Sequence, residues 1–567
     1  MQTGDVSLAC ATALIDELVE QGMRHACVSP GSRSTPLALA LERHRGVTVH
    51  VHLDERSSGF FALGLAKALR RPVAVACTSG TAAAELFPAV VEATQARVPL
   101  YVLTADRPPR LRGTGANQTI DQVRLFGAYP RAYLAPPMPG TADDAREWRR
   151  IGREAAAACV GPQPGPVHVN CPFDEPLVPA GERVDVPACE PGRVERPDRL
   201  QEPLAADVER MARELSGARG VVVAGSTWRT PPDQVALLAE RLGWPLLAEP
   251  TSGLRRPGRA LAAGQALIGS TGFAEDHRPE VVLQIGATPT TRATQSLVSA
   301  ADRLLVVDRF HPDPDPEQRA RWRLRADPRH VAAAVMTHEI EPAPSGWAAG
   351  WIEHDERARR AMDDVLDTTD GPTELRLARD LAAAVPDGGS LFVGNSTPIR
   401  DVDVAMAPRG GLRVLANRGA SGIDGLVSTA LGMASAGTDP TFALIGDLSL
   451  LYDVGALFWN GWRHAPHLVI VVPNNGGGAI FGSLGQRALP ERDRLFVTPH
   501  DLDIGGLCAV AGVGHLRVDQ MSAFDAALVD ARKADGIQLV EVPVPAERSR
   551  EQRAAVQAAV DAALAVR

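Results

Sequence analysis

Two polar clusters 27 residues apart carry the strongest chemical signal in the chain. Thr441-Phe-Ala-Leu-Ile is an apolar run that reads as a buried strand, and it ends in Gly446-Asp447. A helical stretch follows. A second buried strand, His467-Leu-Val-Ile-Val-Val, then ends in Pro473-Asn474-Asn475-Gly476-Gly477-Gly478. The carboxyl ends of parallel strands are where open α/β sheets bind ligands. Asp447 offers a carboxylate and Asn474 an amide oxygen, and the glycine run lets a backbone carbonyl such as that of Gly476 turn inward. Hard oxygen donors of this kind suit a Mg²⁺ that keeps water and diphosphate oxygens in an octahedron. Alone, Asp447 reads equally as a helix cap and Asn-Asn-Gly as a turn. Set across one βαβ unit, the two favour a metal–diphosphate site.

A further carboxylate stands at a strand end upstream. Val47–Leu53 reads as a strand that ends in Asp54-Glu55-Arg56, with a helix straight after. Taken alone, Glu55 is an acid favoured by the helix dipole. Beside a diphosphate site it gains a second reading. The aminopyrimidine of thiamine must be protonated on its ring nitrogen before its imino tautomer can deprotonate the thiazolium carbon, and a glutamate in apolar surroundings performs that relay.

The elements that must hold these groups alternate short apolar runs with helical periods, the mark of parallel βαβ units. Val47–Leu53, Val73–Cys77 and Leu100–Thr104 read as strands, with helices over Ser57–Leu69 and Ala82–Ala93 between them. Gly220–Ala224, Val281–Ile285 and Arg303–Val307 repeat the plan, and Leu391–Val393, Val414, Phe442–Ile445 and His467–Val472 resume it. The expectation is an α/β protein of three domains with parallel sheets flanked by helices, over 1–185, 200–345 and 370–567. A proline-rich, charged linker is expected from Glu175 to about Pro203. Asp5–Gln21 reads as an amphipathic helix. At 567 residues the chain is too long for one core.

Net charge is −9 and no basic run is long enough to track a phosphate backbone, which argues against nucleic acid. Only Lys67 and Lys533 among the 59 basic residues are lysines, so arginine abundance is no sign of an anion site. Seven scattered cysteines with no CxxC pair, no apolar stretch of membrane-spanning length and no basic segment leading into an apolar run point to a soluble, cytoplasmic protein.

Several strings resemble the 2-succinyl-5-enolpyruvyl-6-hydroxy-3-cyclohexene-1-carboxylate synthase family of thiamine-diphosphate-dependent enzymes. They are Ser29-Pro-Gly-Ser-Arg-Ser-Thr-Pro-Leu, Asp54-Glu-Arg-Ser-Ser-Gly, Thr78-Ser-Gly-Thr-Ala, Thr104-Ala-Asp-Arg-Pro-Pro, Gly115-Ala-Asn-Gln-Thr, Gly165-Pro-Val-His-Val-Asn-Cys-Pro-Phe-Asp-Glu-Pro-Leu and Asn417-Arg-Gly-Ala-Ser-Gly-Ile-Asp-Gly. The middle segment contributes Ala248-Glu-Pro-Thr-Ser-Gly-Leu-Arg.

The resemblance implies decarboxylation of 2-oxoglutarate and 1,4-addition of the resulting carbanion to isochorismate, in menaquinone biosynthesis. It implies thiamine diphosphate with Mg²⁺ (or Mn²⁺), and a homodimer or homotetramer with active sites at the subunit interface. It casts Glu55 as the catalytic acid, with Gly446, Asp447, Leu448, Asn474, Ile423, Ile480 and Phe481 at the cofactor. Asp447, Asn474 and Gly476 become the metal ligands. Ser32, Arg33, Arg107, Asn117, Gln118, Arg292, Ser396, Arg400 and Arg418 become the substrate contacts, since bidentate arginines suit dianions.

Leu448 stands where most thiamine enzymes have a third glycine, a variation this branch shares. The segment around Ile480 and Phe481 is one residue longer than expected. No Gly-x-Gly-x-x-Gly fingerprint occurs in the middle segment, so no flavin or nicotinamide is expected. The rival readings are another thiamine-dependent decarboxylase or carboligase, such as an acetolactate synthase, and a non-catalytic nucleotide-binding α/β protein.

Overall fold

The computed structural model of the chain describes residues 2–181, 202–227, 233–311, 314–368, 370–437, 439–461 and 466–565. Most of the expected linker, and Cys189 within it, lie outside the described residues. Among the described residues seventeen strands, numbered β1–β17 in chain order, form three all-parallel sheets. The first contains β1 (His25–Val28), β2 (Thr48–Val51), β3 (Val73–Cys77), β4 (Leu100–Asp106), β5 (Tyr133–Leu134) and β6 (Val167–Pro172), in the order β2-β1-β3-β4-β6-β5. The second orders β7 (Gly220–Ala224), β8 (Leu246–Ala248), β9 (Val281–Ile285), β10 (Arg303–Val307) and β11 (Trp322–Leu324) as β11-β10-β9-β7-β8. The third orders β12 (Ser390–Val393), β13 (Arg413–Leu415), β14 (Thr441–Leu444), β15 (Leu468–Asn474), β16 (Gly514–Arg517) and β17 (Ile537–Pro543) as β13-β12-β14-β15-β17-β16. The central strands β3, β4, β7, β9 and β14 are buried along their whole length, as parallel strands covered by helices on both faces must be.

The chain packs as two compact units. One comprises Met1–Asp198, Asn417–Thr438 and Tyr452–Pro466, and the other Arg199–Ala416, Asp439–Leu451 and His467–Arg567. In the first unit, helix Glu55–Leu69 lies against helix Leu426–Ala434 through reciprocal glycines. A Cβ on Gly64 would stand 2.0 Å from the Thr429 carbonyl oxygen, and one on Gly432 would stand 2.0 Å from that of Phe61. Backbone thus meets backbone at this crossing, which only glycine permits.

Two expected helices differ in form. Thr3–Glu20 is buried on most faces, with Asp5 and Glu17 among its buried residues. Packing against helix Asp144–Val160 turns Glu17 inward, where Arg153 Nε (3.2 Å) and Gln21 Nε2 (3.1 Å) donate to it. The run expected as one helix over Ala82–Ala93 divides into Thr81–Glu85 and Phe87–Gln95. Pro88 has no N–H to continue the first helix and starts the second.

Candidate active site

In the first unit the candidates gather at the carboxyl edge of the sheet. β1 leads to β2 on one side and the chain returns through β3 on the other, so the β1 and β3 ends flank a topological switch point. The loops there carry Ser32 and Arg33 after β1, and Thr78-Ser-Gly after β3. Gly31 lets them meet, because a Cβ on it would lie 2.3 Å from the Thr78 Cβ.

Arg33 is buried, donating from Nη1 to the Phe173 carbonyl (3.0 Å) and from Nη2 to Glu175 (3.2 Å). Arg107, just past β4, donates to Ser79 Oγ and, at 2.9 Å, to the Asn117 carbonyl. Gln118 Nε2 donates to the Ser79 carbonyl (3.0 Å). Burial and then the like charge of Arg33 hold the Arg107 pKa below its ordinary value. The carboxylates of Asp106 and Glu175 oppose that lowering, and Glu175 is already paired with Arg33 at 3.2 Å.

Glu55 opens helix Glu55–Leu69 behind the N-cap Asp54, whose Oδ1 accepts from Arg56 N (2.8 Å) and Ser57 N (3.3 Å). With Asp54 serving the orphan N–H groups, Glu55 is left half-buried with its carboxyl pKa raised. Desolvation is the main cause, and the helix N–H of Glu55 itself opposes it. Arg418 and Ile423 belong to this unit, both half-buried in the segment before helix Leu426–Ala434.

In the second unit the switch point falls between β12 and β14. Ser396 caps helix Thr397–Ala405 there with φ 71°, and Arg400 Nη1 donates to the Ser396 carbonyl at 2.5 Å. Across the switch, Asp447 is buried at the start of helix Asp447–Tyr452. Its Oδ1 accepts from Leu448 N (2.7 Å) and its Oδ2 from Gly477 N (2.9 Å), with His500 Nε2 3.4 Å away. Burial raises the Asp447 pKa against these backbone bonds.

Asn474 ends β15. Its Nδ2 donates to Glu541 Oε1 (2.7 Å) and its Oδ1 accepts from Gly476 N (3.2 Å), so the amide oxygen faces the glycine loop. Glu541 is itself held by His515 Nε2 at 2.9 Å. Gly477, at φ 148°, could carry no Cβ, which would stand 2.6 Å from the Val497 carbonyl oxygen. Beside Gly446 a Cβ would meet nothing within 4 Å, so the flank of Asp447 is open. Among the described residues no group of three or more His, Cys, Asp or Glu is arranged to hold a metal. The oxygens at this loop are of another kind, one carboxylate and one amide oxygen, hard donors that fit Mg²⁺ or Mn²⁺, and the Gly476 carbonyl accepts from His500 N at 3.1 Å.

Ile480 and Phe481 follow in the turn Ala479–Gly482, with the Phe481 ring 5.5 Å from that of Phe496. Arg292 stands apart. It is exposed in the first turn of helix Arg292–Ala300, beside the second sheet.

Residues not among the candidates hold these groups in place. Ser79 and Gln122 brace the Arg107 loop, with Gln122 Oε1 accepting from Gly80 N at 2.9 Å. Glu541 orients Asn474, and Glu374 holds Asn475 Nδ2 at 2.7 Å. Local sequence carries no signal for such long-range pairs. A structural signal does exist: Gln118, Ser396 and Ser421 all take positive φ (55°, 71° and 62°) beside candidate residues, a cost that surrounding structure must sustain.

Known proteins share this organisation. Three family profiles match in order: the thiamine pyrophosphate enzyme N-terminal TPP binding domain at residues 8–125, the middle domain of thiamine pyrophosphate enzymes at 199–393, and the C-terminal TPP binding domain at 404–542. A 2-succinyl-5-enolpyruvyl-6-hydroxy-3-cyclohexene-1-carboxylate synthase of Thermobifida fusca is 43% identical, covering 98% of this chain and 99% of its own. The proteins of that name from Saccharopolyspora erythraea (41%; 98% and 99%) and Listeria innocua (36%; 94% and 93%) are similar over nearly the same span.

Proposed function

The chain belongs to the 2-succinyl-5-enolpyruvyl-6-hydroxy-3-cyclohexene-1-carboxylate synthase family of thiamine-diphosphate-dependent enzymes, and on that premise we propose that it decarboxylates 2-oxoglutarate and adds the product to isochorismate in menaquinone biosynthesis. Thiamine diphosphate supplies the electron sink that lets a 2-oxo acid lose carbon dioxide and then act as a nucleophile. The residues do the rest. Glu55 holds a proton at the pyrimidine ring nitrogen, and its raised pKa supports that role. Asp447, Asn474 and the Gly476 carbonyl would hold Mg²⁺ or Mn²⁺, with Gly446 and Leu448 bordering the diphosphate. Ile423, Ile480 and Phe481 offer apolar surface to the rings. Ser32, Arg33, Arg107, Asn117, Gln118, Ser396, Arg400 and Arg418 would orient carboxylates, and Arg292 is the middle domain's candidate for a further carboxylate contact.

The observation that carries this reading is the buried Asp447, bonded to Gly477 N across the glycine loop and beside the oriented amide of Asn474. Domains over 1–185, 200–345 and 370–567 would each supply part of the machinery. We place the enzyme in the cytoplasm as a homodimer or homotetramer in which two chains complete each site. Exposed Leu53, two residues before Glu55, and exposed Leu489, Leu495 and Leu502, beyond Phe481, support a partner surface near both clusters. No helix among the described residues is long and apolar enough to cross a membrane.

Carbon dioxide release from 2-oxoglutarate, measured against pyruvate with and without thiamine diphosphate and Mg²⁺, tests the assignment. Cofactor-dependent release with 2-oxoglutarate is expected; release with pyruvate alone would transfer the chain to a small-substrate enzyme.

A further inference from the structure

Lys67 is one of only two lysines in a chain that places arginine at nearly every other basic position. It is buried in the last turn of helix Glu55–Leu69. Its Nζ donates to Asn417 Oδ1 at 2.6 Å and to Glu92 Oε1 at 3.4 Å. Glu92, also buried, accepts the N–H of Gly419 on Oε1 (2.9 Å) and that of Ala420 on Oε2 (2.6 Å). Asn417 Nδ2 donates onward to Thr429 Oγ1 at 2.9 Å. Gly419 sits so close to helix Phe87–Gln95 that a Cβ would stand 2.7 Å from the Glu92 carbonyl oxygen. The residues on both sides of Arg418 are thereby held, and both anchors run through one ion pair.

We propose that Lys67 and Glu92 are positioning residues, a buried clamp that sets where Arg418 and the segment leading to Ile423 stand. The inference rests on the reading of Arg418 as a substrate contact. Stability alone is a poor account of the pair, because well-packed apolar side chains commonly stabilise such a site as well or better. A compact ammonium serves both acceptors from a single point, whereas a planar guanidinium presents its donors in a rigid fork, which gives a reason for lysine here. The carboxylate has two oxygens for two neighbouring amides, and a glutamine has one.

The test compares Lys67→Met, Glu92→Gln, the double variant and Arg418→Ala. The double variant removes both charges together and strands neither, which keeps the fold measurable. Hydrogen exchange on the protein without cofactor reads the clamp directly. The amides of 419 and 420 should exchange about tenfold faster in Glu92→Gln and in the double variant, the effect of one lost charge-assisted bond. The substrate whose KM rises in Arg418→Ala should show a KM raised at least about fivefold in the double variant, with kcat changing less. Unchanged exchange at 419 and 420 would overturn the clamp. So would a wild-type KM in the double variant beside a raised KM in Arg418→Ala, which leaves the proposed function standing. Wild-type KM values in Arg418→Ala would remove the role of Arg418 and this inference with it.

Discussion

Glu55 and Asp447 are both carboxylates whose pKa burial raises, but their neighbours suit them to different tasks. Asp447 is fixed by N–H groups from Leu448 and Gly477, which oppose that rise and aim it into the glycine loop. Glu55 has no such cage, because Asp54 takes the cap. We therefore expect Asp447→Ala to weaken thiamine diphosphate binding at saturating Mg²⁺ at least several-fold, read by titration; unchanged affinity would reduce Asp447 to a helix-terminal acid. Glu55→Gln should still bind the cofactor, but its turnover should fall by about two orders of magnitude or more, as loss of general acid–base catalysis does. Near-normal turnover would take the proton relay away from Glu55. Both residues stood out in the sequence because each follows a segment that reads as a strand. The supports of neighbouring residues did not, since Glu541 lies 67 residues from Asn474 and Lys67 lies 350 from Asn417.

Strands were the most legible elements. β3, β7, β9 and β10 fall on the residues expected, because each is an apolar run bounded by turn or charged residues. Helices were read less well where tertiary contact decides their form. Gly64 and Gly432 look like helix-weakening residues in sequence, yet they permit backbone-to-backbone contact between two helices of the first unit. Gly64→Ala should lower stability by about 1–3 kcal/mol, the usual cost of overpacking, and a thermal or denaturant melt reads it. A second device holds helix Leu426–Ala434. Buried Asp453 accepts the N–H (2.7 Å) and the hydroxyl (3.0 Å) of Ser428, and burial pushes its carboxyl up to about 6 despite those bonds. A raised acid pKa means that the folded state prefers the proton. The stabilisation is then full below the ordinary carboxylate range and is lost as pH rises through about 6. The Tm of wild type relative to Asp453→Asn should accordingly fall between about pH 5 and pH 7.5, and a pH-independent difference would contradict the assignment.

At the scale of the whole molecule, the sequence disclosed three α/β segments through their alternating runs, and the three parallel sheets and three matching profiles agree with that plan. It did not disclose that Asn417–Thr438 and Tyr452–Pro466 pack with the first segment, because the glycine crossing and the Lys67–Glu92 pair join residues far apart in the chain. If two chains complete each site, co-expressing inactive Glu55→Gln and Asp447→Ala proteins should restore activity to about a quarter of wild type, since half the dimers are mixed and each holds one intact site. No recovery in verified mixed dimers would show that each chain builds its own site. The central claim, carboligation of two dianions, is tested most directly by mass spectrometry of the product formed from 2-oxoglutarate and isochorismate with thiamine diphosphate and Mg²⁺. The account predicts one adduct with the mass of both substrates less carbon dioxide; decarboxylated 2-oxoglutarate beside untouched isochorismate, or no reaction at all, would contradict it.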